Sequence, residues 1–131
     1  MKNIFITGGN SGIGLALCTQ LVEAGHRIFL GSRNEARGAA AVKSIGHPNC
    51  SLVVIDVTSQ SSVEAAAALV EQALDGQMLY AIVNNAGVGL MHDGITPLDI
   101  IDVNMHGPKR VCEAFIPLLQ PDGGRIANTS S

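Results

Sequence analysis

Aromatic residues are scarce in this chain of 131 residues, which has no tryptophan, one tyrosine and three phenylalanines. The core must therefore come from Val, Ile, Leu and Ala, side chains that suit strands buried on both faces. Basic runs are missing too, and a net charge of -3 offers nothing to a phosphate backbone, which argues against nucleic-acid partners. No apolar stretch approaches membrane-spanning length, and the chain opens into a strand pattern without the charged, apolar and cleavage regions of a targeting segment. A soluble, cytoplasmic protein with no membrane partner is the expectation. Cys18, Cys50 and Cys112 lack CxxC spacing, so neither a zinc site nor a disulfide framework is expected, and they read as reduced, half-buried small hydrophobes. His26, His47, His92 and His106 lack ligand spacing as well, and read as surface or loop residues with no metal to hold. The absence of a GxSxG elbow removes the serine-hydrolase class.

What the chain does have begins at Lys2 to Gly14, KNIFITGGNSGIG. The apolar run Ile4 to Ile6 breaks into glycines and small polar residues, and a helical pattern starts at Ile13 and Leu15. Backbone amides in the first turn of a helix lack intrahelical partners, and the helix dipole makes that end electropositive. Gly8, Gly12 and Gly14 would let a pyrophosphate approach those amides closely. A glycine-rich turn without a ligand is the alternative for this stretch taken alone.

Strand and helix patterns then alternate. Apolar positions from Ile13 to Val22 mark a helix that Gly25 ends, and Ile28 to Leu30 a second strand. A turn at Ser32 to Asn34 leads into an alanine-rich helix from Glu35 to Ile45, closed by Gly46 and Pro48. Ser51 to Val57 is the third strand. Thr58 or Ser59 caps the helix carrying Val63, Ala66 and Val70, which ends at Asp75-Gly76. Leu79 to Val83 is the fourth strand, Pro97 to Leu119 is helical in pattern, with Pro108 and Pro117 to bend it or end it early, and Arg125 to Asn128 is the fifth strand. With no repeat or linker, residues 1–131 form one α/β domain, an open parallel sheet with helices on both faces, whose ligand belongs at the carboxyl ends of the strands near the switch point.

Further signals fall at those strand ends. The second strand ends in Ser32-Arg33, where NAD would call for a ribose-binding carboxylate. A guanidinium can instead hold an extra 2′-phosphate, so the pair favours NADP over NAD, against the competing reading of a solvated turn arginine. Asp56-Val57 ends the third strand: the carboxylate can accept from an exocyclic amine and the valine can pack on a ring, or Asp56 can serve as a turn or capping residue before Thr58. Asn84-Asn85-Ala86-Gly87 ends the fourth, with amides to satisfy neighbouring backbone and small residues that leave room for a ribose and nicotinamide. Asn104 stands within a helical pattern, where asparagine is unfavourable without a reason or faces solvent.

Thr7-Gly8 followed by Gly12 and Gly14 (TGxxxGxG), the NNAG of Asn84 to Gly87 and the Val103-Asn104 pair together resemble the short-chain dehydrogenase/reductase family, NAD(P)-dependent oxidoreductases on a Rossmann-type sheet. Among its members the carbonyl-reductase-like, NADP-preferring ones are the nearest in pattern. The resemblance implies cofactor contacts from Gly8, Asn10, Ser11, Gly12, Ile13, Gly14, Ser32, Arg33, Asp56, Val57, Asn84, Ala86 and Gly87, with adenine beside Asp56 and Val57. It implies a catalytic role for Asn104, which helps hold a water in the proton relay, and for Ser131, delivered by the strand Gly124 to Ser131. A small carbonyl or alcohol is the substrate class it implies.

In that family a tyrosine exchanges the proton with the carbonyl oxygen and a lysine one helical turn later lowers its pKa. Here the one tyrosine, Tyr80, has Asn84 four residues on, and Lys2, Lys43 and Lys109 follow no tyrosine at that spacing. The resemblance thus covers an amino-terminal half, with the sheet truncated after the fifth strand. The expectation is dinucleotide binding without appreciable reductase activity, marginal stability as a monomer, and homo- or hetero-oligomer formation through the helix around Asn104. A non-enzymatic NADP-binding module, or a partner of a full-length relative, is the alternative. The epimerase-type branch has a different glycine spacing.

Overall fold

Each inner strand carries apolar residues on both sides, and both sides are covered. In the computed structural model, which describes residues 1–87 and 96–129, β1 (Asn3–Ile6) sends Ile4 and Ile6 to one face and Phe5 to the other, all buried. The strands β2 (Arg27–Ser32), β3 (Cys50–Val54), β4 (Ala81–Asn84) and β5 (Arg125–Asn128) join it in a parallel sheet of order β3-β2-β1-β4-β5. This is the Rossmann-type arrangement, and its order reverses beside β1. Helices α1 (Gly12–Glu23) and α2 (Glu35–Ile45) cover the face holding Ile4, Ile6, Ile28 and Leu30. The helix α3 (Gln60–Leu74) and a broken helix farther on cover the face holding Phe5, Phe29 and Ile82.

Few aromatics do not mean an aliphatic core. All three phenylalanines are fully buried on the α3 face, and the rings of Phe5 and Phe115 stack with centroids 4.2 Å apart. Two thiols are also deeper than half-buried: Cys18 and Cys50 are buried, and Cys112 alone is intermediate. Strand three is shorter than its apolar run, because after Val54 only Ile55 keeps a ladder bond, its N–H donating to the Ser32 carbonyl at 2.9 Å, and the chain then turns over the sheet end. Strand four starts at Ala81, with Leu79 in a separate bridge to Leu119. Ser59, not Thr58, caps α3, accepting from the Ser62 N–H.

The stretch expected as one helix from Pro97 is four pieces. A capping box between Thr96 and Asp99 starts α4 (Pro97–Ile101), and the two Thr96 hydrogen bonds, backbone first and hydroxyl second, hold the Asp99 carboxyl below its usual range. A π turn over Asp102–His106 follows, in which the Gly107 N–H reaches back five residues to the Asp102 carbonyl. Then come α5 (Gly107–Phe115) and a tight 3-10 turn at Ile116–Leu118. Pro108 explains the widening: it has no N–H to give the carbonyl of Asn104, and the turn ahead of it relaxes to a wider bond. Pro117 likewise sits where α5 tightens and ends. Among the described residues β5 is an edge strand exposed along its length, and no helix is long and apolar enough to cross a membrane. Ser131 and His92 lie outside the described residues.

Candidate functional site

The carboxyl ends of β1 to β4 open onto a cleft of about 330 Å³, lined by Thr7, Gly8, Asn10, Ser11, Arg33, Asn34, Arg37, Ile55, Asp56, Val57, Thr58, Asn85, Ala86, Gly87 and Val103. Its position over the reversal of strand order is where open α/β sheets bind ligands.

One wall is made by backbone crowding. Gly8 has a positive φ of 63°, and a Cβ there would stand 2.9 Å from the Ala86 Cα. At Gly14 a Cβ would collide with the Gly8 carbonyl oxygen and with Asn85 Nδ2, so only glycine lets α1 start this close to the loop. Gly12, also at positive φ (57°), has nothing within 4 Å of its Cβ position and is open. Thr7, 1% exposed, ties the two loops together: its Oγ1 accepts from Asn85 N at 3.0 Å and Ala86 N at 2.9 Å, and Asn85 Nδ2 donates to the Gly8 carbonyl at 3.1 Å. The extended Ser11 precedes α1 without a side-chain capping bond, and no acidic residue lies in the first turn. That leaves the electropositive helix end uncapped by protein side chains at the cleft.

The opposite wall is side-chain chemistry. Ser32 is buried and turns inward, its Oγ donating to the Asn34 carbonyl at 2.8 Å, while Arg33 is exposed on the cleft. Arg37, in the first turn of α2, lines the same wall; among the described residues neither guanidinium makes an ion pair. No carboxylate stands at the end of β2 to repel an added phosphate.

Asp56 takes up the turn role and also stands on the cleft. Its Oδ1 accepts from the Thr58 N–H at 3.0 Å and from the Thr58 hydroxyl at 2.6 Å, as a turn residue would, and it lines the cleft as well. Val57 is held from behind: a Cβ on Gly107 would come within 2.8 Å of its Cγ2, and its carbonyl accepts from Arg110 Nη1 at 2.9 Å. Arg110 pairs with Asp102 Oδ1 at 2.7 Å, joining the broken helix to this loop. Asn104 lies behind Gly87 of the cleft, its Oδ1 3.2 Å from the Cβ position of that glycine.

Of the residues singled out in the sequence, Gly8, Asn10, Ser11, Arg33, Asp56, Val57, Ala86 and Gly87 line the cleft. Gly12, Ile13, Gly14, Ser32, Asn84 and Asn104 are not on its wall; Ile13 is 76% exposed, and Asn84 is buried against Asn128 and Cys112. Arg37 and Thr58 also line the cleft, which the sequence reading did not assign to them, while Asn85, read as an amide that satisfies neighbouring backbone, does so on the Gly8 carbonyl. Arg37 is one helical turn beyond Arg33, a spacing that was readable, whereas the Asn85 clamp on Gly8 spans 77 positions and left no local signal.

The sheet order, the glycine-built helix entry and the cleft at the strand ends define an α/β protein of Rossmann type with an open site at its switch point. The family model for short chain dehydrogenase matches residues 2–131, and the chain belongs to that family of oxidoreductases. Human 17-beta-hydroxysteroid dehydrogenase type 2 is 36% identical over 99% of this chain and 35% of its own length, and (+)-neomenthol dehydrogenase of Arabidopsis thaliana is 34% identical over 96% of this chain and 52% of its own. The structure of NADPH-bound carbonyl reductase from chicken fatty liver superimposes with a TM-score of 0.79 at 29% identity, covering 90% of this chain and 48% of that one. The chain spans about a third to a half of the length of the curated relatives it matches.

Proposed function

We propose that this chain is the dinucleotide-binding half of an NADP(H)-dependent short-chain dehydrogenase/reductase acting on a small carbonyl or alcohol. The observation that carries the cofactor preference is the wall after β2, where Arg33 and Arg37 line the cleft without an ion pair among the described residues, and where Ser32 rather than a carboxylate ends the strand. In this reading the first-turn amides of α1 and the backbone from Gly8 to Gly14 receive the pyrophosphate, and Arg33 receives the 2′-phosphate. Asp56 and Val57 flank the adenine, while Ala86 and Gly87 leave room for the nicotinamide ribose. When bound, the nicotinamide supplies or accepts the hydride. Asn104, against Gly87, and Ser131 are the residues of this chain assigned to the reacting end, Asn104 to hold a water and Ser131 to orient the carbonyl oxygen.

Proton transfer is a separate requirement, and Tyr80, the one tyrosine, stands in the chain just ahead of β4 with no lysine four residues on. These 131 residues by themselves therefore bind the cofactor without turning it over. Calorimetric titration with NADPH and NADH tests the binding: tighter binding of NADPH, with the preference lost in Arg33→Ala, is expected, and equal affinities would dispose of the NADP assignment. Absorbance of NADPH followed with a panel of aldehydes and ketones tests the inactivity, and turnover would overturn it. The second reading, a binding module that pairs with a full-length relative, rests on Leu98, Ile101 and Met105, exposed apolar side chains on and just after α4. Co-elution with such a relative on size exclusion favours it.

A further inference from the structure

The three thiols of the chain stand in unlike surroundings. Cys18 lies inside the α1 face and Cys50 at the start of β3, both buried among aliphatic side chains. Burial, with Cys50 close by, pushes the Cys18 thiol up to about 12, and burial raises Cys50 as well, so both stay protonated and out of reach. Cys112 is half-buried on α5, on the other side of the sheet, and its sulfur touches the end of β4.

That contact has an unusual feature. Asn84, 4% exposed, donates through Nδ2 to Cys112 Sγ at 3.6 Å and to Asn128 Oδ1 at 2.8 Å, while its Oδ1 is buried with no hydrogen-bond partner among the described residues. A buried amide oxygen without a donor is costly. The amide that holds the sulfur thus has an acceptor unpaired among the described residues, and a hydroxyl placed on the sulfur is a donor of the kind that acceptor takes. Asn84 is also the residue before Asn85 and Ala86, whose N–H groups Thr7 fixes at the cleft, and its carbonyl accepts from Thr129 N at 3.1 Å on β5's side.

We propose that Cys112 is a site of reversible oxidation by hydroperoxides, its sulfenic acid held by the Asn84 amide and coupled through Asn84 to the cleft. The thiolate sulfur attacks the O–O bond of the peroxide, forming the S–O bond as the O–O bond breaks. Sulfur is oxidised by two electrons, and the leaving hydroxide or alkoxide takes a proton from water. The resulting S–O–H donates to Asn84 Oδ1, and a small turn of that amide moves the backbone leading to Asn85. A thiol donor reverses the step by forming a mixed disulfide and then releasing Cys112.

The test is peroxide treatment of the intact 131-residue chain, trapping with a sulfenate-specific dione, and peptide mass spectrometry, alongside titration of NADPH before and after oxidation. Labelling of Cys112 about tenfold or more above Cys18 and Cys50 is expected, with Cys112 reacting with an alkylating agent in the folded chain and the buried Cys18 and Cys50 only after unfolding. Affinity for NADPH is expected to fall about fivefold on oxidation, and to be unaffected by peroxide in Cys112→Ser. Equal labelling of the three, or none at Cys112 in folded protein, overturns the site; a labelled Cys112 with affinity unchanged overturns the coupling. Failure of the unoxidised chain to bind NADPH or NADH at all bears on the cofactor reading and leaves the labelling result to decide the site.

Discussion

The two walls of the cleft are built on opposite principles. The wall from β1 is backbone pressed against backbone: Gly14 against Gly8 and Asn85, Gly8 against Ala86, and Thr7 bonded to two amides across 78 and 79 positions. The wall after β2 is two exposed guanidinium groups on a turn and a helix start, with no ion pair among the described residues. Substitutions in the first wall should act on folding, and through it on everything else. Substitutions in the second should alter what is bound and leave the fold alone.

The largest effect is expected at Gly14→Ala, which drives a methyl into the Gly8 carbonyl and Asn85. A loss of about 3 kcal/mol in urea unfolding is expected, together with loss of dinucleotide binding. A variant as stable as the parent would break the comparison. Thr7→Val keeps the shape and removes the acceptor of two amides, at an expected cost of about 2 kcal/mol by the same measurement. Arg33→Ala should weaken NADPH about tenfold by calorimetry, with NADH affinity unchanged and the thermal midpoint unmoved; a lowered midpoint would make Arg33 part of the scaffold after all. Gly12→Ala meets open space and bears only the strain of its positive φ, about 1 kcal/mol, so the ratio of its effect to that of Gly14→Ala separates crowding from conformation.

The smallest effect belongs to the capping box outside both walls. The Asp99 carboxyl is held below its ordinary range when folded, so its contribution is present above the aspartate value of the unfolded chain and is lost as pH falls through the lower folded value. Asp99→Asn should flatten that part of the acid limb when urea midpoints are compared from about pH 6 down to about pH 3.

The difference between the walls also governs what was legible in the sequence. Glycines at fixed offsets after an apolar run, and Asn-Asn-Ala-Gly after another, announce a strand end and a helix entry because only those residues fit there. Ranges for α2 and β5 could be read directly, since Asn34, Gly46 and the turn at Gly123-Gly124 bound them chemically. Partners far apart in the chain could not be read: nothing local says that Thr7 faces Ala86, that Gly107 backs Val57, or that Phe5 lies on Phe115. Asp56 was ambiguous because a strand-end carboxylate can bond its own turn and still line the cleft, and here it does both. The π turn escaped notice because a proline only advertises that a helix is disturbed, and the wider bond that resolves the disturbance depends on Gly107 being packed against Val57.

That wide turn has a bearing on chain length. Five residues, Asp102 to His106, cover an arc that a regular helix makes in about four. Taking one of them out would let the segment close into an ordinary helix, with α4 and α5 keeping their present angular phase and Phe115 its place on Phe5. A deletion inside α5 has no such slack, since it would swing every later side chain around by about 100°. The spot that presents Asn104 to Gly87 is thus one where the helix can gain or lose a residue and the core beneath stays in register.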